Sequence, residues 1–275
     1  MKTDYLIVGS GLSALTFGAL MAKAGKTVRI LEAHEHAGGY GHTFTMAKQY
    51  RFNAQLHYVW DCGEGQTVHR VLKKLGLEQD ITFVRYDSHG FDHMRMPGYS
   101  LDIPSDPEKL IQRLSLLFPY RRNQIHQFVY EVEKTGKGLK ILAPPIQPFE
   151  LFAHSEEVLC AIQYLKSTLQ DVFNKFKLPQ AAQTLLALQW PDFLLPPNQL
   201  SFYAWVALFR GYQAGAFYPT KEFEHVINSF VRIVESNGGQ VLLNHEVTNF
   251  HVTNRMVTGV EAINLTNHQT HRFVT

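Results

Sequence analysis

Tyr5-Leu6-Ile7-Val8-Gly9-Ser10-Gly11-Leu12-Ser13-Ala14, read together with Glu32, is the stretch that decides the fold. Tyr5 to Val8 is a short apolar run with a β-branched pair, the pattern of a parallel strand buried on both faces. The next residues spell G-x-G-x-x-G/A, with Ala14 in the third place. Residues 12–24 then read as a helix rich in small residues, Ala14, Gly18, Ala19 and Ala22, and Gly25 stands where a left-handed cap is expected. Residues 27–31 form a second apolar run, closed by Glu32. Each part has a physical job. Gly9 permits the tight strand-to-helix turn. Gly11, with no Cβ, lets a pyrophosphate approach the backbone, and Ala14 lets the helix lie close to the strand. The helix start, with Ser10, Leu12 and Ser13 around it, offers free N–H groups and a positive dipole end to phosphates. The Glu32 carboxylate can accept hydrogen bonds from ribose hydroxyls and would repel a 2′-phosphate, which argues against NADP. Strand, turn, helix, second strand and terminal acid fall in the order of a dinucleotide-binding Rossmann-like unit.

Composition narrows the alternatives. The chain has 275 residues, 45% hydrophobic and 18% charged, an ordinary globular balance long enough for one large domain or two smaller ones. With 26 basic and 24 acidic residues the net charge is +2, so nothing favours nucleic acid as a partner. The 19 Phe and 12 Tyr read either as a well-packed core or as the lining of a pocket for a long apolar ligand. Cys62 and Cys160 stand alone, without a disulfide framework or zinc motif, which fits a reducing cytoplasm. Fourteen His invite a metal reading, but His34/His36 and His89/His93 match no ligand pattern, and no metal is expected. Met1-Lys2 before an apolar run could pass for a signal peptide, but Asp4, Gly9, Gly11 and Gly18 interrupt it. No segment is long and apolar enough to span a bilayer.

The segment 32–39, Glu32-Ala33-His34-Glu35-His36-Ala37-Gly38-Gly39, resembles the acid-plus-double-glycine signature of flavoprotein amine oxidases and carotenoid desaturases. Gly38-Gly39-Tyr40-Gly41-His42-Thr43-Phe44, Tyr50-Arg51-Phe52 and Leu56-His57-Tyr58-Val59 are similar to the retinol saturase and carotenoid isomerase branch of the phytoene desaturase family. So are Trp190-Pro191-Asp192-Phe193, Ser201-Phe202 and the run 211–219 from Gly211 to Pro219. The resemblance runs along nearly the whole chain. It implies FAD as the cofactor, held at Gly9, Ser10, Gly11, Leu12, Ser13, Ala14, Glu32, Ala33, Gly38, Gly39, His42 and Thr43. The backbone of Val247 would meet the adenine. It further implies an α/β fold, in which a Rossmann-like FAD-binding domain of parallel sheet plus β-meander carries an inserted α+β substrate domain. The expected division is 1–70 for the first FAD-binding part, 71–215 for the substrate or cap region and 216–275 for the return to the FAD-binding domain. The chemistry implied is hydride transfer between flavin N5 and a lipophilic polyene or isoprenoid, as desaturation, saturation or isomerisation. The alternatives are an amine-oxidase-like enzyme and a lipid-binding protein of the GDP-dissociation-inhibitor kind. Two departures bear on the flavin ring: Asn53-Ala54-Gln55 replaces Asp-Thr-Gly, and Thr220-Lys221-Glu222 replaces a Gly pair. His57 and Tyr58 are expected either to donate a proton near the flavin or simply to pack beside it. No Ser/His/Asp triad or carboxylate dyad is visible, and no catalytic residue is assigned.

The rest of the chain reads as follows. Residues 67–75 carry a helical apolar face and end at Gly76, and 83–101 alternate like strands. Ser105-Asp106-Pro107-Glu108 reads as a capping box opening a helix, Pro119 stops it, and more helix runs to about 140. Residues 143–148 are a Pro-rich break, either a domain boundary or a bend. A single helix is expected over 158–176. The apolar, Pro-broken stretch 185–209 reads equally as the wall of a substrate tunnel or as a buried helical hairpin, and is the motive for expecting contact with a membrane surface. A helix over 223–234 ends at Asn237-Gly238-Gly239, and strands are expected at 240–243, 247–250, 257–263 and from 271. Because the last two strands leave an open sheet edge at Thr275, the 275 residues are expected to be an N-terminal part of a longer fold, with little turnover alone.

Overall fold

The computed structural model describes residues 3–275, with Trp190 described by its backbone only. Met1 and Lys2, which the sequence places just before the first strand, lie outside the described residues. The chain divides into two compact units, one formed by residues up to 84 together with 217–275, the other by 85–216.

The first unit opens with β1 (Tyr5–Val8), α1 (Leu12–Lys23) and β2 (Val28–Leu31). The strands pair in parallel, Ile7 opposite Ile30. The helix lies close because a small residue meets a branched one: a Cβ on Gly18 would sit 2.9 Å from Ile30 Cδ1. A close helix–strand approach therefore falls at Gly18, one turn beyond Ala14. A hairpin, β3 (Thr43–Met46) and β4 (Tyr50–Asn53), and α2 (Thr67–Leu75) follow, then β5 (Phe83–Arg85) at the unit boundary.

The second unit contains the hairpin β6 (Asp92–Met96) and β7 (Tyr99–Ile103) and the helices α3 (Pro107–Leu117), α4 (Arg122–Leu142), α5 (Pro148–Ala153), α6 (Ser155–Gln163), α7 (Leu169–Lys175), α8 (Gln180–Ala187) and α9 (Phe202–Ala214). Two sequence expectations change here. The cap of α3 is Asp106, whose side chain accepts the Glu108 N–H at 2.9 Å; Pro107 takes the first helical position, so Ser105 falls outside the box. The expected single helix over 158–176 is two, α6 and α7. Thr168 accepts the Asp171 N–H at 3.1 Å while Asp171 accepts the Thr168 N–H at 2.9 Å. That reciprocal cap starts a new helix inside a continuous apolar pattern. Within 185–209, Leu185, Leu186, Phe202, Trp205, Val206 and Phe209 are buried. Trp205 stacks on Phe209 with centroids 4.6 Å apart and also meets Phe128 and Phe173. The aromatic rings of this stretch, with Phe128 and Phe173, are core packing.

The chain then returns to the first unit as β8 (Phe217–Pro219), α10 (Glu222–Ser236) and β9 (Gln240–Leu242), followed by the antiparallel meander β10 (His245–Thr253), β11 (Met256–Asn264) and β12 (Thr270–Val274). β9 joins β2 in parallel, giving the order β1-β2-β9. The core is Leu15, Ala19 and Ala22 of α1, Leu72 and Leu75 of α2, and Val226, Ile227, Phe230 and Val234 of α10, packed with Val28 and Ile30. Leu31, Val260 and Ala262 form a second small core under the meander. Among the described residues no helix is long and apolar enough to cross a membrane.

Candidate nucleotide site

The β1–α1 turn is held from below by one carboxylate. Gly9 adopts φ +89°, open to glycine, and its N–H donates to Leu31 O at 2.7 Å. Ser10 is fully buried, and both its N–H and its hydroxyl donate to Glu32 Oε2, at 2.7 and 2.6 Å. The His34 N–H donates to Glu32 Oε1 at 2.9 Å. Glu32 is only 6% exposed. Burial opposes its ionisation, but the donors from His34 and Ser10 outweigh it and hold the carboxyl below the usual range. A carboxylate accepts about four hydrogen bonds. Glu32 therefore keeps acceptor capacity on Oε1 for one ligand hydroxyl while tying the turn to the end of β2. The sequence spacing raises the expectation of a ribose at Glu32; the fold adds Ser10 as its partner. A hydroxyl residue between the two glycines is the one sequence signal for that clamp.

Above the turn the backbone is bare. Gly11 is the N-cap of α1, with no side-chain cap and no acid in the first turn. The N–H groups of Leu12, Ser13 and Ala14 therefore face outward at the positive end of the helix. A Cβ on Gly11 would meet no protein atom within 4 Å, the space a ligand's phosphate needs. The Gly pair abuts this point. Gly38 bridges Gly11 in parallel, and its N–H donates to Ser10 O at 3.0 Å. A Cβ on Gly39 would lie 3.3 Å from Gly11 Cα, and one on Gly38, at φ +116°, would lie 2.9 Å from Ile227. Two glycines are thus needed here for packing as well as for access.

A cleft of about 520 Å³ opens beside the turn, lined by Gly11, His34, His36, Gly39, Tyr40 and His42. The rings of His34 and His36 lie 5.8 Å apart and those of His36 and His42 4.3 Å apart. His42 Nδ1 donates to Gly39 O at 2.6 Å, which fixes that ring. His34, His36 and Tyr40 stand within the motifs that carry the resemblance, but of the rings in this cleft the sequence names only His42 as a cofactor contact. Among the described residues no group of His, Cys, Asp and Glu is arranged to hold a metal ion.

The remaining predicted positions lie around this cleft or away from it. Ala33 is half-buried beside Glu32. Thr43 opens β3, its hydroxyl donating to Asn53 Oδ1 at 3.3 Å, and Asn53 in turn bonds the Tyr218 hydroxyl. Val247 sits at a bulge in β10, packed on Leu31, Val260 and Ala262. His57 is exposed and Tyr58 half-buried, on the run leading to the Val59–Phe217 bridge; neither lines the cleft. Where the family carries a Gly pair, Glu222 holds φ +69°, a conformation costly for a side chain, and with Glu224 it grips Arg51. Burial pushes the Cys62 thiol up to about 12 and raises that of Cys160, so neither is a ready nucleophile.

Residues 7–75 match the family model of the NAD(P)-binding Rossmann-like domain. The chain is 26% identical over 253 residues to the all-trans-retinol 13,14-reductase of Danio rerio, covering 87% of this chain and 41% of that protein. To the enzyme of the same name from Homo sapiens it is 27% identical over 252 residues, covering 88% and 41%. The chain thus spans about two fifths of the length of these curated relatives. Among solved structures, an oxidoreductase from Methanosarcina mazei superposes with a TM-score of 0.66 at 16% identity, covering 98% of this chain and 57% of that one. Putrescine oxidase bound to putrescine gives 0.64 at 15%, covering 100% and 57%. Rab GDI from Plasmodium falciparum gives 0.57 at 14%, covering 100% and 64%. These structural likenesses establish the fold alone, an α/β architecture with a Rossmann-like unit.

Proposed function

We propose that this chain, a member by sequence of the retinol saturase branch of the FAD-dependent oxidoreductases, forms the nucleotide-binding part of a flavoprotein that acts on a lipophilic polyene or isoprenoid such as a retinoid. The observation that carries the reading is the bare Gly11 backbone over a Ser10–Glu32 clamp: space and N–H groups for a diphosphate, with one carboxylate acceptor left for a ribose hydroxyl. The residues that would hold FAD are Gly9, Ser10, Gly11, Leu12, Ser13 and Ala14 at the diphosphate, Glu32 and Ala33 at the ribose, Gly38, Gly39, His42 and Thr43 beyond it, and Val247 at the adenine. When bound, the flavin supplies hydride transfer at N5. The protein's part is to bind, orient and exclude water. His57 and Tyr58 are the side chains for a proton near the ring or for packing against it. In this reading residues 1–70 and 216–275 form the FAD-binding part, and 71–215 the substrate region. The protein works in the cytoplasm, at a membrane surface from which its substrate is drawn.

Colour tests the reading first. The purified chain is expected to bind FAD and to release it on boiling, and Gly11→Val is expected to be folded and colourless. Wild-type protein that binds neither FAD nor ADP in titration calorimetry would remove the flavin assignment and leave a lipid-binding role of the GDP-dissociation-inhibitor kind. Oxidation of small polar amines in place of polyene turnover would favour the amine-oxidase-like alternative.

A further inference from the structure

Residues 146–165 of the second unit carry an unusual outer face. Ile146, Phe149, Phe152, Leu159, Ile162 and Leu165 are 49%, 78%, 82%, 65%, 52% and 62% exposed. They form two groups, 146–152 on and around α5 and 159–165 on and around α6, and within each group every third residue is one of them, so each helix turns one large apolar residue per turn to solvent. The opposite face of α6 is already used, with Val158, Cys160 and Ala161 buried. α4 lies against it so closely that a Cβ on Gly138 would strike the Glu157 carbonyl. Scattered exposed apolar residues need no explanation, but six large ones within residues 146–165, two of them phenylalanines, do.

The charges beside the stripe are uneven. Of its acids, Glu156 pairs with Lys134, while Glu150 and Glu157 lie 3.5 and 3.9 Å from the single imidazole of His154. Lys137, Lys140 and Lys166 are exposed and, among the described residues, make no ion pair. A sheet of anionic headgroups over an apolar interior answers both features. The stretch 185–209, the sequence's motive for membrane contact, turns most of its large side chains inward instead.

We propose that the α5–α6 face is a docking surface for an anionic phospholipid bilayer, with Phe149 and Phe152 entering the headgroup–acyl boundary and Lys137, Lys140 and Lys166 contacting lipid phosphates. This rests on the proposal that the substrate is lipophilic and drawn from a membrane. The test is flotation of the 275-residue chain with phosphatidylcholine vesicles, with and without phosphatidylserine. Wild type is expected to float, more strongly on the anionic vesicles. Phe149→Ser/Phe152→Ser is expected to lower partitioning by roughly tenfold or more. Lys137→Gln/Lys140→Gln/Lys166→Gln is expected to abolish the preference for phosphatidylserine and its salt sensitivity. Because the substituted side chains are exposed, melting temperature and FAD binding are expected to stay unchanged in both variants. Wild type that does not float, or a Phe variant that floats undiminished, overturns the proposal. So does a concentration-dependent dimer that the Phe variant dissolves, since that gives the stripe to a second copy. The flavin reading fails separately: a chain that floats without binding FAD keeps the docking surface and loses the cofactor.

Discussion

Replacing Glu32 by Ala should cost the protein stability as well as cofactor. The carboxylate accepts three hydrogen bonds, from the Ser10 N–H, the Ser10 hydroxyl and the His34 N–H. The hydroxyl can rotate to another acceptor, but the two backbone donors cannot, and Ser10 is fully buried. The His34 N–H lies on the open cleft and can be met by water, whereas the Ser10 N–H is orphaned in the interior at a cost of about 1–3 kcal/mol, a substantial share of the ~5–15 kcal/mol that typically holds a domain folded. Urea unfolding followed by circular dichroism measures it as a fall in midpoint at unchanged slope. The sign of the pH dependence follows from the same bonds. Glu32 is held below its ordinary range in the fold. Its contribution is therefore complete above the unfolded carboxylate's value of about 4.3 and is lost as pH falls through the lower folded value. The variant should accordingly lack part of the wild type's acid sensitivity. FAD affinity, measured where the variant is still folded, should also fall, by about ten- to a hundredfold for one lost charged hydrogen bond. An unchanged urea midpoint would refute the clamp. A lowered midpoint with unchanged FAD affinity would leave the clamp and refute the ribose contact.

Three further outcomes are expected. Gly11→Val should keep the wild-type melting temperature, since its Cβ meets no protein atom within 4 Å, yet lose nucleotide binding in calorimetry; normal flavin occupancy would place the cofactor elsewhere. Gly138→Ala should force α4 and α6 apart at the Glu157 carbonyl and lower stability by about 1–3 kcal/mol in urea unfolding; an unchanged midpoint would show that the pair can slide without cost. Asp80, hydrogen-bonded by Lys221, Ser229, His225 and Arg232, titrates at about 2 despite partial desolvation. Its stabilisation is present above the unfolded value of about 3.9 and lost between there and about 2. Asp80→Asn should therefore lower the melting temperature at pH 7 and flatten its decline across that acid window, and an unaltered acid limb would sink the linkage.

The sequence alone determined the nucleotide half of this protein because its signals are local. A strand, a glycine turn, a helix and a second strand follow one another within Tyr5–Leu31, and each glycine answers a steric demand at its own position. The helix over Thr67–Leu75 and the one beginning at Glu222 were legible for the same reason: one strong apolar face and a clear stop. Signals that compete within a few residues were misread, as at Asp106, where Pro107 set the cap, and at Thr168, where a reciprocal cap divided an apolar run. What tertiary structure alone decided lies in contacts distant along the chain. The bonds from Ser10 to Glu32 cross 22 residues, and the ring cluster of His34, His36 and His42 needs the Gly38–Gly39 turn to fold it over Gly11. Likewise, an apolar pattern says that a helix has a greasy face but not whether another element covers it. Residues 185–209 and 146–165 are both apolar; the fold buries most of the large side chains of the first and leaves the second open, because α4 takes only one side of α6.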